Sequence, residues 1–123
     1  MVIVAIIATI AALAVPGFLR ARKKAQATIV LNDVRLLDSA KDQYALASHA
    51  PGDAPVAADM LAGYLRPGTR LYSLCAAGSA PTDILGNAYV LTTFDTAVKV
   101  NAVSLANFDD VLQDPTTFWA GFQ

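Results

Sequence analysis

The stretch Met1–Gly17, which reads MVIVAIIATIAALAVPG, decides how this chain is organised. Its first fifteen residues carry no charged side chain and one hydroxyl group, that of Thr9. A basic cluster, which we call the collar, follows shortly after it and consists of Arg20, Arg22, Lys23 and Lys24. Because a helix of about 20 apolar residues crosses the hydrocarbon core of a bilayer, residues 1–19 are predicted to form a membrane helix that ends at the collar.

Composition places the remainder of the chain among small globular domains. The chain has 123 residues, of which 55% are hydrophobic and 15% are charged, and the apolar excess lies at the N-terminus. The net charge of −1 gives no overall field that would attract nucleic acid, so nucleic acid is not an expected partner. We find no nucleophile beside a base, no metal cluster and no paired carboxylates, so we do not expect an enzyme. The single cysteine, Cys75, allows no intrachain disulfide and is interpreted as a small buried apolar residue.

The first fifty residues are predicted to form one long helix with a break near Pro16. Pro16 has no N–H group and its ring clashes with the carbonyl of Ala12, and Gly17 adds freedom at the same place, so a kink is expected there. After Phe18 the pattern becomes amphipathic, and one helix face contains Val30, Val34, Leu37, Ala40, Tyr44 and Ala47. The helix should end near Ala50, which precedes Pro-Gly.

The rest of the chain is predicted to be an α+β head. A short helix is expected over residues 56–66, and strands over residues 69–75, 88–94 and 97–103, because β-forming residues are concentrated there. The economical arrangement is a long N-terminal helix packed on a small antiparallel sheet. We therefore divide the chain into a hydrophobic transmembrane helix, 1–19, and a second region, 20–123, that holds the C-terminal half of the helix and the head.

The C-terminal tail combines acidic and aromatic side chains. Asp109, Asp110 and Asp114 are hard oxygen ligands that could hold calcium, although their spacing is not that of an EF-hand. We expect a solvated acidic loop or a helix cap at these residues, with a calcium site as the alternative. The aromatic side chains are predicted to pack onto the head, with an adhesive patch as the alternative; they are Phe118, Trp119 and Phe122.

Residues 1–28, MVIVAIIATIAALAVPGFLRARKKAQAT, resemble the N-terminal helix of type IV pilin-like proteins. Pro16 falls on the proline of that family, and the basic residues after it match the family's collar. The segment Asp83–Tyr89, DILGNAY, resembles more weakly a segment common in the major pseudopilins of type II secretion. Ile84, Leu85 and Ala88 differ from the residues that are common at these positions in the pseudopilin segment.

The resemblance implies a pilin fold and a structural role. The chain would be a pilin or major pseudopilin that polymerises through its hydrophobic helix into a homopolymeric helical filament. Its partners would be membrane lipid before assembly, prepilin peptidase and the inner-membrane assembly machinery. It would lie in a bacterial inner membrane and then in an extracellular or periplasmic filament. The residues expected in the membrane or the filament core are Met1, Val2, Ile3, Val4, Ala5, Ile6, Ile7, Ala8, Ile10, Leu13 and Val15; those expected at the helix break are Pro16 and Gly17.

Several alternatives stay open at the level of sequence. The family carries a phenylalanine and a glutamate in front of the apolar run, so we expect the mature N-terminus to lie upstream of Met1. No cofactor is expected, with calcium as the one alternative, because similar pseudopilins often hold calcium in a C-terminal loop. The alternative function is a membrane-anchored minor pilin or binding module, for DNA uptake or adhesion. Sequence does not separate a surface pilus from a secretion pseudopilus.

Overall fold

The structure is a computed structural model that describes residues 1–14 and 17–123 in full. The helix break predicted at Pro16 lies outside the described residues, whereas Gly17 lies within a helix. The elements are α1 (Val2–Ser48), α2 (Ala58–Leu61), a 3₁₀ turn (Ala62–Tyr64), α3 (Arg70–Ala76), α4 (Ala102–Phe108) and α5 (Pro115–Trp119). The first part of α1 projects from a head that the later elements build around its second part.

The second part of α1 carries the central face of the head core. The predicted face is confirmed at its centre, because Val30, Val34, Leu37 and Ala40 are buried. Tyr44 is half-buried and Ala47 is exposed, so the face ends earlier than predicted. The helix ends at Ser48, close to the predicted position, where His49 takes a left-handed conformation with φ 53°. A left-handed residue at this place is a common way to terminate a helix.

The predicted antiparallel sheet is wrong. Across residues 1–14 and 17–123 no strand is formed, and the fold is mostly helical rather than α+β. Extended backbone pairs only at three isolated bridges, which are Pro55–Thr93, Thr82–Ala88 and Val90–Lys99. The head is therefore a set of short helices and loops packed on α1. The predicted helix over 56–66 is confirmed in type and is shorter, as α2 and the 3₁₀ turn.

Residues 69–75, predicted as a strand, form α3 instead. The Thr69 side chain accepts a hydrogen bond from the Tyr72 N–H, 3.3 Å, and so caps the first turn. Leu71 and Cys75 are four residues apart and both are buried, which is the spacing of a helix with one face on a core. Burial at helical spacing decides the local structure here, against a preference for strand that depends strongly on context.

Residues 88–103, predicted as two strands, pair only once. Val90 and Lys99 exchange two backbone hydrogen bonds of 2.8 and 3.1 Å. The Val100 N–H faces the other side of this extended segment and donates to the Phe122 carbonyl at 2.7 Å. Asn101 then starts α4.

The core lies between α1 and the short helices. Trp119 and Phe108 are among its largest fully buried side chains, and Phe118 and Phe122 pack against it. The prediction that the tail aromatics pack onto the head is therefore confirmed. Cys75 is buried within the same cluster, also as predicted, and burial raises the pKa of its thiol.

Candidate functional site on the projecting helix and the collar

Residues 1–14, which we call the projecting segment, are exposed along their whole length. Together with Phe18 and Leu19 they present ten large apolar side chains to solvent. Moving one such side chain out of water yields about 1.5–3 kcal/mol, so covering all of them is worth on the order of 15–30 kcal/mol. By length and composition α1 is also apolar enough to cross a membrane. Cover by lipid or by protein would therefore stabilise this segment. Every residue predicted to lie in the membrane or the filament core belongs to it except Val15, which is outside the described residues.

Small side chains form a stripe on the projecting segment. Ala5, Ala8 and Ala12 recur at intervals of three and four residues, which places them on one side of the helix. The one hydroxyl group, that of Thr9, donates to the Ala5 carbonyl at 2.8 Å and is satisfied within the helix. Such a face lets another helix approach closely in an apolar medium.

The four collar residues do not share one environment. Lys23 donates to both carboxylate oxygens of Asp110 at 2.9 and 3.1 Å, which ties α1 to the loop after α4. This hydrogen bond and the charge of Lys23 hold the pKa of Asp110 below its usual value, and Arg20 adds to the effect. Arg20, Arg22 and Lys24 are exposed. The collar therefore contains one residue that fixes the head and three that are available to something outside it.

A cleft opens between the collar and the loop that follows α4. This collar cleft has a volume of about 330 Å³ and is lined by Arg20, Ala21, Lys24, Asp110, Val111, Leu112 and Gln113. A second hollow of about 290 Å³ shares Lys24, Leu112 and Gln113 with it and continues to Phe118. The lining combines charged side chains with the apolar side chains Ala21, Val111 and Leu112, which suits a ligand with a charged end and an apolar body.

The acidic residues of the tail have partners of their own. Asp110 pairs with Lys23, as above. Asp114 caps α5, accepting from the Thr117 N–H at 3.3 Å and from its hydroxyl at 2.6 Å, and these bonds lower the pKa of Asp114. Within the part of the chain that the structure describes, no three acidic, histidine or cysteine side chains converge as metal ligands would. Asp110 and Asp114, for which a calcium site was the alternative, thus act as an ion-pair partner and a helix cap.

The segment Asp83–Tyr89 folds around a buried carboxyl group. Asp83 is 1% exposed and accepts from the backbone N–H groups of Leu85 and Asn87 at 2.9 and 3.0 Å. The Ser104 hydroxyl, from α4, donates to its other oxygen. Gly86, with φ 87°, supplies the left-handed residue that this tight turn requires. Asp83 therefore closes the turn and joins it to α4.

The same segment is fastened to α1 through Asp33. The Tyr89 hydroxyl and the Arg70 guanidinium each donate to Asp33 at 3.2 Å, and Arg70 also donates to the Asp83 carbonyl at 2.7 Å. Burial raises the pKa of Asp33, while the bonds from Tyr89 and Arg70 oppose the rise. The pKa of Tyr89 is raised, first by burial and then by the charge of Asp33. The link between Asp33 and Arg70 was not predicted from the sequence. The available signal was Asp33 itself, because it places a carboxylate between Val30 and Val34 on the predicted apolar face.

Lys41 forms a further polar link that the sequence did not reveal. Its side chain is buried, and its ammonium donates to the carbonyls of Thr93 and Thr96, with Asp38 at 3.7 Å. The spacing of Asp38 and Lys41 would by itself predict no more than a helix-supporting ion pair. In the fold, Lys41 instead holds the turn over residues 93–96 against α1.

The chain matches no protein-family model, no curated protein and no solved structure.

Proposed function

We propose that this chain is the structural subunit of a type IV pilus-like helical filament and that it polymerises through α1. The observation that carries the proposal is the division of this one helix. Its second part supplies the central core face of the head, while the projecting segment has no cover from the chain itself. A helix that is fixed to a head at one end and apolar on all sides at the other suits burial among copies of itself.

The assembly we propose has two stages. The subunit first rests in the inner membrane, where lipid covers the projecting segment. Assembly machinery then extracts it, and the segments of neighbouring copies replace lipid, with the small stripe of Ala5, Ala8 and Ala12 permitting close helix contact. Such a contact is head-to-tail and does not close, so it propagates as a helix of subunits. The resemblance of residues 1–28 to pilin-like proteins supports this proposal; a sheet-bearing head forms no part of it.

Electron microscopy of filaments sheared from the native host tests the proposal. Ala8→Leu keeps the segment apolar, so membrane insertion should persist, but the added bulk should reduce filament yield at least tenfold. Ile10→Leu is the control with nearly unchanged volume and should leave the yield intact. The proposal would be overturned if the wild-type chain stayed in the membrane fraction and formed no filaments, because the chain would then be a membrane-anchored module. Equal yields for both variants would overturn the role of the small stripe.

The collar contributes a separate test. Arg22 is exposed and has no ion-pair partner among the described residues, so it is available to an acidic group on a neighbour. Arg22→Glu should lower filament yield, whereas Arg35→Glu, the same change on the head part of α1, should not. An unchanged yield for Arg22→Glu would exclude Arg22 from the subunit contact without affecting the role of the projecting segment.

A further inference from the structure

We propose that the collar cleft binds the phosphate of an anionic phospholipid headgroup while the projecting segment lies in a membrane. The ligand class is a phosphodiester that carries a net negative charge, as in phosphatidylglycerol. This inference requires only that α1 enters a bilayer, so it does not depend on polymerisation.

The depth of the cleft along α1 matches the headgroup layer. The apolar run ends at Leu19, and the residues of α1 that line the cleft lie between Arg20 and Lys24. At 1.5 Å per residue these positions cover about 6 Å along the helix axis. The polar layer on each side of a bilayer is about 5–8 Å thick. With the apolar run in the hydrocarbon, the cleft lies at the level of the lipid phosphates.

The charges that line the cleft favour an anion. Arg20 and Lys24 are one turn apart on α1, and neither has an ion-pair partner among the described residues. The carboxylate on the opposite wall, Asp110, is already paired with Lys23. The Gln113 amide adds a neutral donor at the rim. Two basic residues that line one hollow, one with a guanidinium and one with an ammonium group, are suited to a phosphate group.

The apolar part of the lining favours a lipid over an acidic peptide. Ala21 and Leu112 lie between the charged residues, and the adjoining hollow reaches Phe118. A phosphate held by Arg20 and Lys24 would place the glycerol and the first methylene groups of its lipid along these side chains. A carboxylate side chain from a neighbouring protein has no apolar body to fill that space.

Nanodiscs with equal amounts of phosphatidylglycerol and phosphatidylcholine, holding the full-length chain, test the proposal. Native mass spectrometry of the released protein then counts the retained lipids. Near a membrane surface each basic residue contributes roughly a fivefold preference for anionic lipid, so the wild type should retain phosphatidylglycerol at least tenfold over phosphatidylcholine. Arg20→Gln with Lys24→Gln should remove most of that preference, leaving what the exposed Arg22 contributes as a surface charge. Arg35→Gln with Lys99→Gln, which removes the same charge from exposed head positions, should preserve it.

Two further variants separate the cleft from the general charge of the collar. Ala21→Phe fills the cleft without changing charge and should lose the preference, whereas Arg22→Gln, outside the cleft, should retain most of it. Equal retention of both lipids by the wild type, or an undiminished preference in Ala21→Phe, would overturn the proposal. Complete displacement of phosphatidylglycerol by inorganic phosphate in the buffer would also overturn it, because the site would then recognise free phosphate rather than lipid. Circular dichroism confirms that each variant is folded.

Discussion

Replacing Asp83 by alanine should destabilise the head by about 3–9 kcal/mol. The Asp83 carboxyl group is 1% exposed and receives three hydrogen bonds, from Leu85, Asn87 and Ser104. Removing the acceptor leaves buried donors without partners, at about 1–3 kcal/mol each. The total is comparable with the 5–15 kcal/mol, roughly, that separates most folded domains from the unfolded state. Asp53→Ala is the matched control, since Asp53 is exposed and makes no side-chain hydrogen bond among the described residues.

Urea unfolding of the full chain in detergent micelles measures this difference. Trp119 is the chain's single tryptophan and is 1% exposed, so its emission reports exposure of the head core. The midpoint should fall sharply for Asp83→Ala and stay near the wild-type value for Asp53→Ala. Asp83→Asn retains an acceptor oxygen and should fall between them. Equal midpoints for the two alanine variants would refute the view that the buried carboxyl group holds the turn and α4 together.

Three further predictions concern single residues. The pKa of Asp110 is lowered from 3.8 by Lys23. The ion pair therefore stabilises the head above about pH 3.8, and that contribution is lost as the pH falls through the lowered pKa. In an NMR titration the Lys23→Gln variant should return the pKa of Asp110 toward 3.8, and an unchanged pKa would exclude the ion pair in solution. Trp119 Nε1 is buried without an acceptor among the described residues. Trp119→Phe should therefore change the free energy of unfolding by less than about 1 kcal/mol, because removal of the unsatisfied donor offsets the lost packing. A loss above about 3 kcal/mol would show that the indole has a hydrogen-bond partner. Lys41→Met should destabilise the head by about 1–3 kcal/mol, because two carbonyl groups lose their donor. Amide hydrogen exchange in the turn over 93–96 should also become faster, and an unchanged exchange rate would refute the view that Lys41 holds this turn against α1.

The sequence predicted the parts of the fold that depend on local periodicity. The buried face of α1 follows from the spacing of Val30, Val34 and Leu37, and the end of the helix follows from the Pro-Gly pair after Ala50. The same reasoning failed for residues 69–75, because β-forming side chains are compatible with a capped helix when burial falls at helical spacing. Local composition does not say which surface a segment will meet.

In the candidate site, too, the sequence predicted the local features and missed the contacts between distant segments. The projecting segment and the collar are contiguous in sequence, so their composition alone identified them. The collar cleft was not predicted, because half of its lining comes from the loop after α4. Asp33 and Arg70 are 37 residues apart, and no periodic pattern connects them. A polar contact between distant segments is fixed by tertiary packing, which the sequence pattern does not contain.

The arrangement of polar links along α1 has a mechanical consequence. The head is bonded to this helix at Lys23, Asp33, Asp38 and Lys41, which together span about 27 Å along the axis. A force that pulls the projecting segment along its axis would load these links in shear, together, rather than opening them one after another. The head would therefore resist axial tension better than a sideways pull that peels the loops away from the helix.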